Sequence, residues 1–406
     1  MINFGFDSIE IMESKDKSIC FYLNNDLYQY NKDIVQNYIE KNESFVYPLL
    51  IWNNDLFLDI MEINIPHNVK TQVDLGKCKI VLFYVTEPWF MYEYCYKWLS
   101  NFSSKNGLNK NNFIFVSSNL KSPEIKNTYV ENGIINDNYT IIDFNHHFHR
   151  LWFHTHHFHR DFSNKLYEET LHINLKKQKE TKKDKHFLCL NRRPHDHRVA
   201  IFAEIMTNPK LKEKTLLSLG NEGQIIGQNF KDAIRRFINV TYKHGYSRLY
   251  DFVDNYDGNF IYTYDTDSMN DQNYISINLD AHNKTFCNIV TETLTSEDVL
   301  FFTEKTLKPI FALQPFIIIG NRGSLKKLKE YGFKTFDKWW DESYDELMYQ
   351  KRFEKIVEII EDISTWEYNR IEQTLKEMEE ILIHNFKMIV EDNSTKDFFN
   401  KFLNVI

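Results

Sequence analysis

Two short stretches carry the side chains best suited to holding a diphosphate. The first is Asn191-Arg-Arg-Pro-His-Asp-His-Arg198, which packs three arginines into one turn. Guanidinium forks grip phosphate oxygens two at a time, so a cluster of this kind fits an anionic ligand. The competing reading is a surface turn whose arginines pair with nearby acids. The second stretch is Phe301-Phe-Thr-Glu-Lys-Thr-Leu307. Here Thr303 has the character of a helix N-cap, which puts Glu304 and Lys305 in the first turn. Unpaired N–H groups and the positive dipole end suit a phosphate, and Lys305 adds a formal charge. A glutamate is disfavoured beside a phosphate unless it turns to a sugar hydroxyl, so Glu304 on a ribose and Lys305 on a phosphate form a coherent pair. The plainer alternative is a capped helix with a solvated ion pair.

Both stretches sit where a strand gives way to a helix. His186–Leu190 is an apolar strand, and Val199–Met206 reads as the helix that follows the arginine turn. Between Thr285 and Phe336 apolar runs alternate with helical ones, in the order strand Thr285–Glu292, helix Phe302–Leu313, strand Gln314–Gly320, helix Ser324–Tyr331, strand Gly332–Phe336. Leu216–Gly220 and Tyr274–Asn278 supply two more strands. A second α/β unit starts at Lys77, with strands Cys78–Val85, Asn112–Ser118 and Tyr139–Phe144 and a helical run from Trp89 to Phe102. Residues 1–75 read as short alternating segments without a motif. The charged run Asn174–Lys185 has no periodicity and reads as the linker. Beyond Phe336, apolar residues at three- and four-residue spacing predict two amphipathic helices, Phe353–Ile363 and Ile371–Phe386, and a tail able to return to the first domain.

The segment Phe301–Leu307 resembles the Tyr-x-Thr-Glu-Lys segment of the α1,3-fucosyltransferase family, followed as there by a helix and a strand running from a proline through apolar residues to a glycine, here Pro315–Gly320. The resemblance covers Thr285–Phe336; elsewhere only the order of elements is similar. It implies a GT-B-like α/β fold, two Rossmann-like domains facing a central cleft with C-terminal helices. It also implies that Glu304 and Lys305 contact the donor's ribose and phosphates, and that an arginine of the 191–198 turn meets the diphosphate. The candidate donor-binding set is Asn191, Arg192, Arg193, Arg198, Glu292, Thr303, Glu304 and Lys305. The boundaries expected are 1–180 for an acceptor-side domain, 181–370 for a nucleotide-sugar-binding domain and 371–406 for a helical tail.

Glu87, in Val85-Thr-Glu-Pro-Trp89, falls at the carboxyl edge of a strand, where open α/β proteins bind ligands. A carboxylate there can remove the proton of an attacking acceptor hydroxyl. Glu87-Pro88 resembles the Glu-Ser-Pro of the fucosyltransferases, whose glutamate is assigned as the base, although the intervening serine is absent. The alternative role is to cap the next helix. Seven histidines lie between Asn145 and Arg160, interleaved with Phe148, Leu151, Trp152, Phe153 and Phe158. That pattern favours a packed or acceptor-contacting face over a zinc or nickel site, because no cysteine or acidic cluster adjoins it. Asp265-Thr-Asp267 matches the Asp-x-Asp of manganese-dependent sugar transferases, but it lies in a polar loop without a buried strand before it.

No Gly-x-x-x-x-Gly-Lys-Ser/Thr loop occurs, which argues against a P-loop enzyme. A net charge of −8, from 49 basic and 57 acidic residues, argues against broad nucleic-acid binding. Five scattered cysteines favour neither a disulfide framework nor a zinc ribbon. No apolar run is long enough for a membrane span and the N-terminus lacks signal-peptide character, so a cytoplasmic site is expected. The richness in Lys, Asn, Ile and Tyr matches an AT-rich, viral-type genome, which would make that the host cytoplasm. The expected activity is transfer of a sugar from a nucleotide-sugar co-substrate to a hydroxyl acceptor, inverting and without metal or other cofactor. The acceptor is a glycan or, alternatively, a hydroxymethylated base in viral DNA; a silent nucleotide- or glycan-binding module is the rival from another class.

Overall fold

The computed structural model describes residues 2–13, 30–50, 63–84, 92–145, 164–219, 249, 252, 277–391 and 393–406. Glu87, the histidine tract, Asp265, Asp267, Cys20 and most of Tyr274–Asn278 lie outside the described residues.

The chain is α/β and is built on two parallel sheets. The first has six strands, β1 (Ile2–Phe6), β2 (Tyr30–Ile34), β3 (Phe45–Leu50), β4 (Cys78–Tyr84), β5 (Phe113–Ser117) and β6 (Thr140–Asp143), in the order β2-β1-β3-β4-β5-β6. Parallel strands are covered on both faces, which is why β4 and β5 are apolar almost throughout. Alternation along β4 sorts the core. Ile80, Leu82 and Tyr84 join Phe113 and Phe115 against helices His67–Asp74 (α1) and Glu93–Lys105 (α2), through Val69, Val73, Tyr96, Leu99 and Phe102. Val81 and Phe83 face the other way, with Ile114 and Val116, onto Phe398, Phe399 and Phe402 of Asn393–Val405 (α3).

The second sheet has four strands in the order β10-β9-β7-β8: β7 is Lys185–Asn191, β8 Thr215–Leu219, β9 Thr285–Thr291 and β10 Phe316–Ile319. All seven residues of β9 are buried. The order reverses between β7 and β9, so their carboxyl ends form the switch point at which open α/β sheets bind ligands. Helix α4 (Asp196–Thr207) follows β7, and helix α5 (Glu304–Phe311) lies between β9 and β10.

Contacts group residues 1–158, 298–301 and 392–406 in one unit and 159–297 with 302–391 in the other. Residues 159–180, placed with the N-terminal domain in the sequence reading, group with the second unit. The charged run taken as a linker is helical as far as Glu180, in α6 (Asn164–Glu180). Polar tethers hold it: Asn174 Nδ2 donates to the Phe311 carbonyl at 3.0 Å, and Lys179 pairs with Glu379 at 2.7 Å. Residues 332–336 are also not a strand. Two of their amides bond to side chains, Lys334 N donating to Asn385 Oδ1 at 2.8 Å and Phe336 N to Glu342 Oε1 at 2.7 Å, and those of Gly332 and Phe333 donate to the carbonyls of Lys329 and Leu328. The first sheet takes β1, β2 and β3 from residues 1–75, which read in the sequence as short alternating segments without a motif. The C-terminal region contains three helices, Tyr349–Ser364, Tyr368–Glu391 (α7) and α3, with α3 packed in the first unit.

Candidate functional site at the carboxyl edge of the second sheet

Asn191, the last residue of β7, is buried; its amide oxygen accepts from Thr291 Oγ1 and its Nδ2 donates to Cys189 Sγ at 3.4 Å. The first of these bonds joins β7 to β9 at their carboxyl ends. The chain then turns through Arg192, half-buried, and Arg193, exposed, before helix α4. His195 occupies the N-cap: its carbonyl accepts from Arg198 N at 3.0 Å and Val199 N at 2.9 Å, while its ring makes no capping bond and stacks 6.1 Å from that of His197.

Arg198 is buried beneath this turn. Its Nη1 donates to the Arg193 carbonyl at 3.3 Å, and its Nη2 donates to the carbonyls of Thr291 at 3.3 Å and Glu292 at 3.2 Å. His197 Nε2 lies 2.6 Å from that same Glu292 carbonyl. Arg198 is therefore a strut between the two strand ends, and only its Nε has no hydrogen-bond partner. Burial pulls the guanidinium down to about 10, against support from Glu304 and Glu292, so it is still charged at neutral pH.

Glu292 is fully buried, and its carboxylate is taken up by the protein. Oε1 accepts from Thr303 N at 3.1 Å and from Thr306 Oγ1; Oε2 accepts from Thr303 Oγ1 at 2.6 Å and Thr293 N at 3.3 Å. An acidic side chain at the start of a helix suits the dipole there. Glu292 thus clamps the entrance of α5, and within that clamp Thr303 is the N-cap the sequence calls for, accepting from Lys305 N at 3.3 Å. Lys305 Nζ lies 2.8 Å from Glu304 Oε1 and 3.3 Å from Thr303 Oγ1, with both charged side chains partly exposed.

Hydrogen bonds consequently run from Arg193 through Arg198 and Glu292 to Thr303 and Lys305. The positive charges of Arg198, Lys305 and Arg193 all act on His195 and, after burial, hold its imidazole down to about 4. Burial is also the main cause for His197, held well below the ordinary histidine range, with Arg198, His195 and Lys305 adding to it. Arg193, Arg198 and Lys305 therefore share one neighbourhood. Asn191, Arg198, Glu292 and Thr303 are buried positioning groups, whereas Arg193, Glu304 and Lys305 offer accessible charge. His195 and Thr306 were not among the sequence candidates. A histidine at the N-cap of an arginine-rich turn was the available signal for the first, and nothing in the spacing singled out the second.

Among the described residues no group of three or more His, Cys, Asp or Glu side chains could hold a metal ion. Four cysteines, Cys78, Cys95, Cys189 and Cys287, are buried free thiols, and burial raises each of them. No helix among the described residues is long and apolar enough to cross a membrane.

No family model matches the sequence, and no curated protein matches it. A solved structure, the N-terminal domain of a trehalose-6-phosphate phosphatase from Candida albicans, aligns over 100% of this chain and 99% of its own at 10% identity and a TM-score of 0.42.

Proposed function

We propose that this chain is a GT-B-type glycosyltransferase that moves a sugar from a nucleotide sugar to a hydroxyl acceptor. The observation that carries the proposal is the convergence of Arg193, Arg198 and Lys305 on the switch point between β7 and β9, joined by an unbroken set of hydrogen bonds. A fixed positive cluster at that edge is what a departing diphosphate needs, since preorganised charge stabilises it as it develops. Arg193 and Lys305 meet the phosphate oxygens, and Glu304, next to Lys305 at the start of α5, turns to a ribose hydroxyl. The acceptor oxygen bonds to the anomeric carbon, the bond from that carbon to the diphosphate breaks, and the acceptor proton passes to a carboxylate. Glu87 is the candidate for that base, on its place in the sequence alone.

A thermal-shift screen against sugar nucleotides of uridine, guanosine, cytidine and thymidine tests the proposal. One of them should raise the melting temperature, because a ligand at a hundredfold excess over its dissociation constant stabilises by about 2.7 kcal/mol. Lys305→Ala should remove the shift, and EDTA should leave both the shift and turnover unchanged. No shift with any of the four, or a shift that survives Lys305→Ala, would sink the site assignment. Loss of turnover in EDTA would count against cation-only stabilisation of the leaving group. Binding without transfer across an acceptor library would leave a nucleotide-sugar-binding module.

A further inference from the structure

The carboxyl edge of the first sheet carries polar groups that no part of the scheme above uses. Strands β4, β5 and β6 are neighbours there, and the ladder runs past their ends: Ser118 N donates to the Tyr84 carbonyl at 3.1 Å and Phe144 N to the Ser117 carbonyl at 2.8 Å. Just beyond β5 and β6 stand two side chains that bond to nothing. Ser118 is 0% exposed and Asn145 1% exposed, and neither the Ser118 hydroxyl nor either end of the Asn145 amide has a hydrogen-bond partner. Folded proteins pair nearly all such groups, so three open atoms on two neighbouring strand ends call for a ligand. Asp143, two residues before Asn145, is already engaged by Lys401 at 2.9 Å, so the open groups are neutral ones.

Aromatic surface adjoins them. Tyr92 and Tyr94, at the entrance of α2, stack at 5.4 Å and 10° while remaining 49% and 51% exposed. One turn on, the Tyr96 side chain bonds to Ser122, whose Oγ lies 2.8 Å from Ser117 Oγ at the end of β5. The tyrosine pair is thereby fixed beside the same edge.

We propose that this edge is a binding site for a neutral saccharide, with a sugar ring lying on Tyr92 and Tyr94 and its hydroxyls bonded to Asn145 and Ser118. A pyranose offers a C–H face to aromatic rings and a rim of hydroxyls to polar groups. An asparagine amide accepts with its oxygen and donates with its nitrogen, which matches two adjacent hydroxyls, and a serine hydroxyl does either. Aromatic lining with a few neutral polar groups is the make-up of a small-ligand site. Because the open atoms hold no internal bond and no water, a hydroxyl that reaches them displaces nothing. A nucleobase carried on DNA arrives with phosphates, which a chain of net charge −8 repels, so the sugar is the favoured occupant. Every residue named belongs to the first unit, and the inference needs nothing from the donor-site reading.

Saturation-transfer NMR on the intact protein with maltose, cellobiose, lactose and N,N′-diacetylchitobiose tests this. At least one of the four should receive saturation on its ring C–H hydrogens. Tyr92→Ala and Tyr94→Ala, both at exposed positions, should each weaken that ligand about fivefold. Asn145→Leu should weaken it about tenfold or more through two lost hydrogen bonds. The same variant should melt no lower than the wild type, since the amide it removes holds no partner in the protein. A purely structural asparagine would instead show a clear fall in melting temperature, which would overturn the inference. So would a blank result with all four sugars, binding that survives Asn145→Leu, or transfer to 5-hydroxymethyl-2′-deoxycytidine alone. No nucleotide sugar enters the experiment, so failure of the donor-site reading would leave its outcome untouched.

Discussion

Glu292 is a carboxylate with four protein donors and no contact with water, and the entrance of α5 depends on it. Glu292→Ala would take the acceptor from the N–H of Thr303 and from the hydroxyl protons of Thr303 and Thr306, all buried, which costs roughly 3 kcal/mol or more. Urea denaturation should show that loss as a fall in the midpoint at an unchanged slope, with the binding proposed above weakened in whatever protein still folds. A loss below about 0.5 kcal/mol would mean that the clamp is ornamental. Thr303 was legible in the sequence because an N-cap is a local arrangement, made by one side chain and the amides that follow it. The clamp was not. Glu292 and Thr306 lie fourteen positions apart, and only the closure of β9 against α5 brings them together. The same holds for Arg198, which by residue type suits a phosphate. Two backbone carbonyls at the end of β9 claim its Nη2, and a third at Arg193 claims its Nη1.

At the scale of elements, α3 is the piece that the first sheet cannot do without. Phe398 stacks on Phe144 at 4.2 Å and 28°, Phe402 lies 6.1 Å from Phe83, and Lys401 pairs with Asp143 at 2.9 Å. Lys79 Nζ adds a bond of 2.6 Å to the Val405 carbonyl. Phe402→Ala should cost about 3–5 kcal/mol, the range for deleting a buried aromatic ring, and chemical denaturation would measure it. Surface substitution of Lys396 should change little, and a loss equal to that of Phe402→Ala would refute the packing argument. Periodicity identified the helices after Tyr349 because a 3.6-residue repeat is visible in one strand of text. It did not separate α3 from α7, and it missed the end of α6, where no apolar residue follows Leu175. That helix is held by Asn174, Lys179 and a buried Lys183 bonded to the Gln178 and Asn283 carbonyls. Polar tethers of this kind leave no periodic trace.

Taken whole, the chain builds two α/β units and runs between them more than once, since residues 298–301 and 392–406 belong with the first unit. In that first unit Asn119 gathers the inserted strand of chain, accepting from Leu300 N at 3.1 Å and donating to the Asp298 carbonyl at 3.0 Å. Stability should depend on pH through buried histidines. His282 is bonded through Nδ1 to Gln314 Oε1 at 2.7 Å, and burial nonetheless draws it down to about 4 from an ordinary 6.5. The folded form keeps this ring neutral while the unfolded chain protonates it. Its contribution is therefore complete above pH 6.5 and disappears as pH falls towards 4, amounting to roughly 3 kcal/mol. Melting temperatures recorded from pH 7 to 4 should fall across that window, less steeply in His282→Gln; a flat profile would contradict the assignment. Local order set much of this architecture in advance. The apolar runs of β4, β5, β7 and β9, the cap at Thr303 and the arginine turn after β7 follow from neighbours in the chain, so they can be read from the residues alone. Strand order, and with it the meeting of β7 and β9 at a switch point, depends on contacts between residues a hundred positions apart, such as Asn191 with Thr291. Folding sorted the charged residues of that edge into buried struts and accessible charges, because burial and partnership are properties of three-dimensional neighbours that spacing in a sequence does not encode.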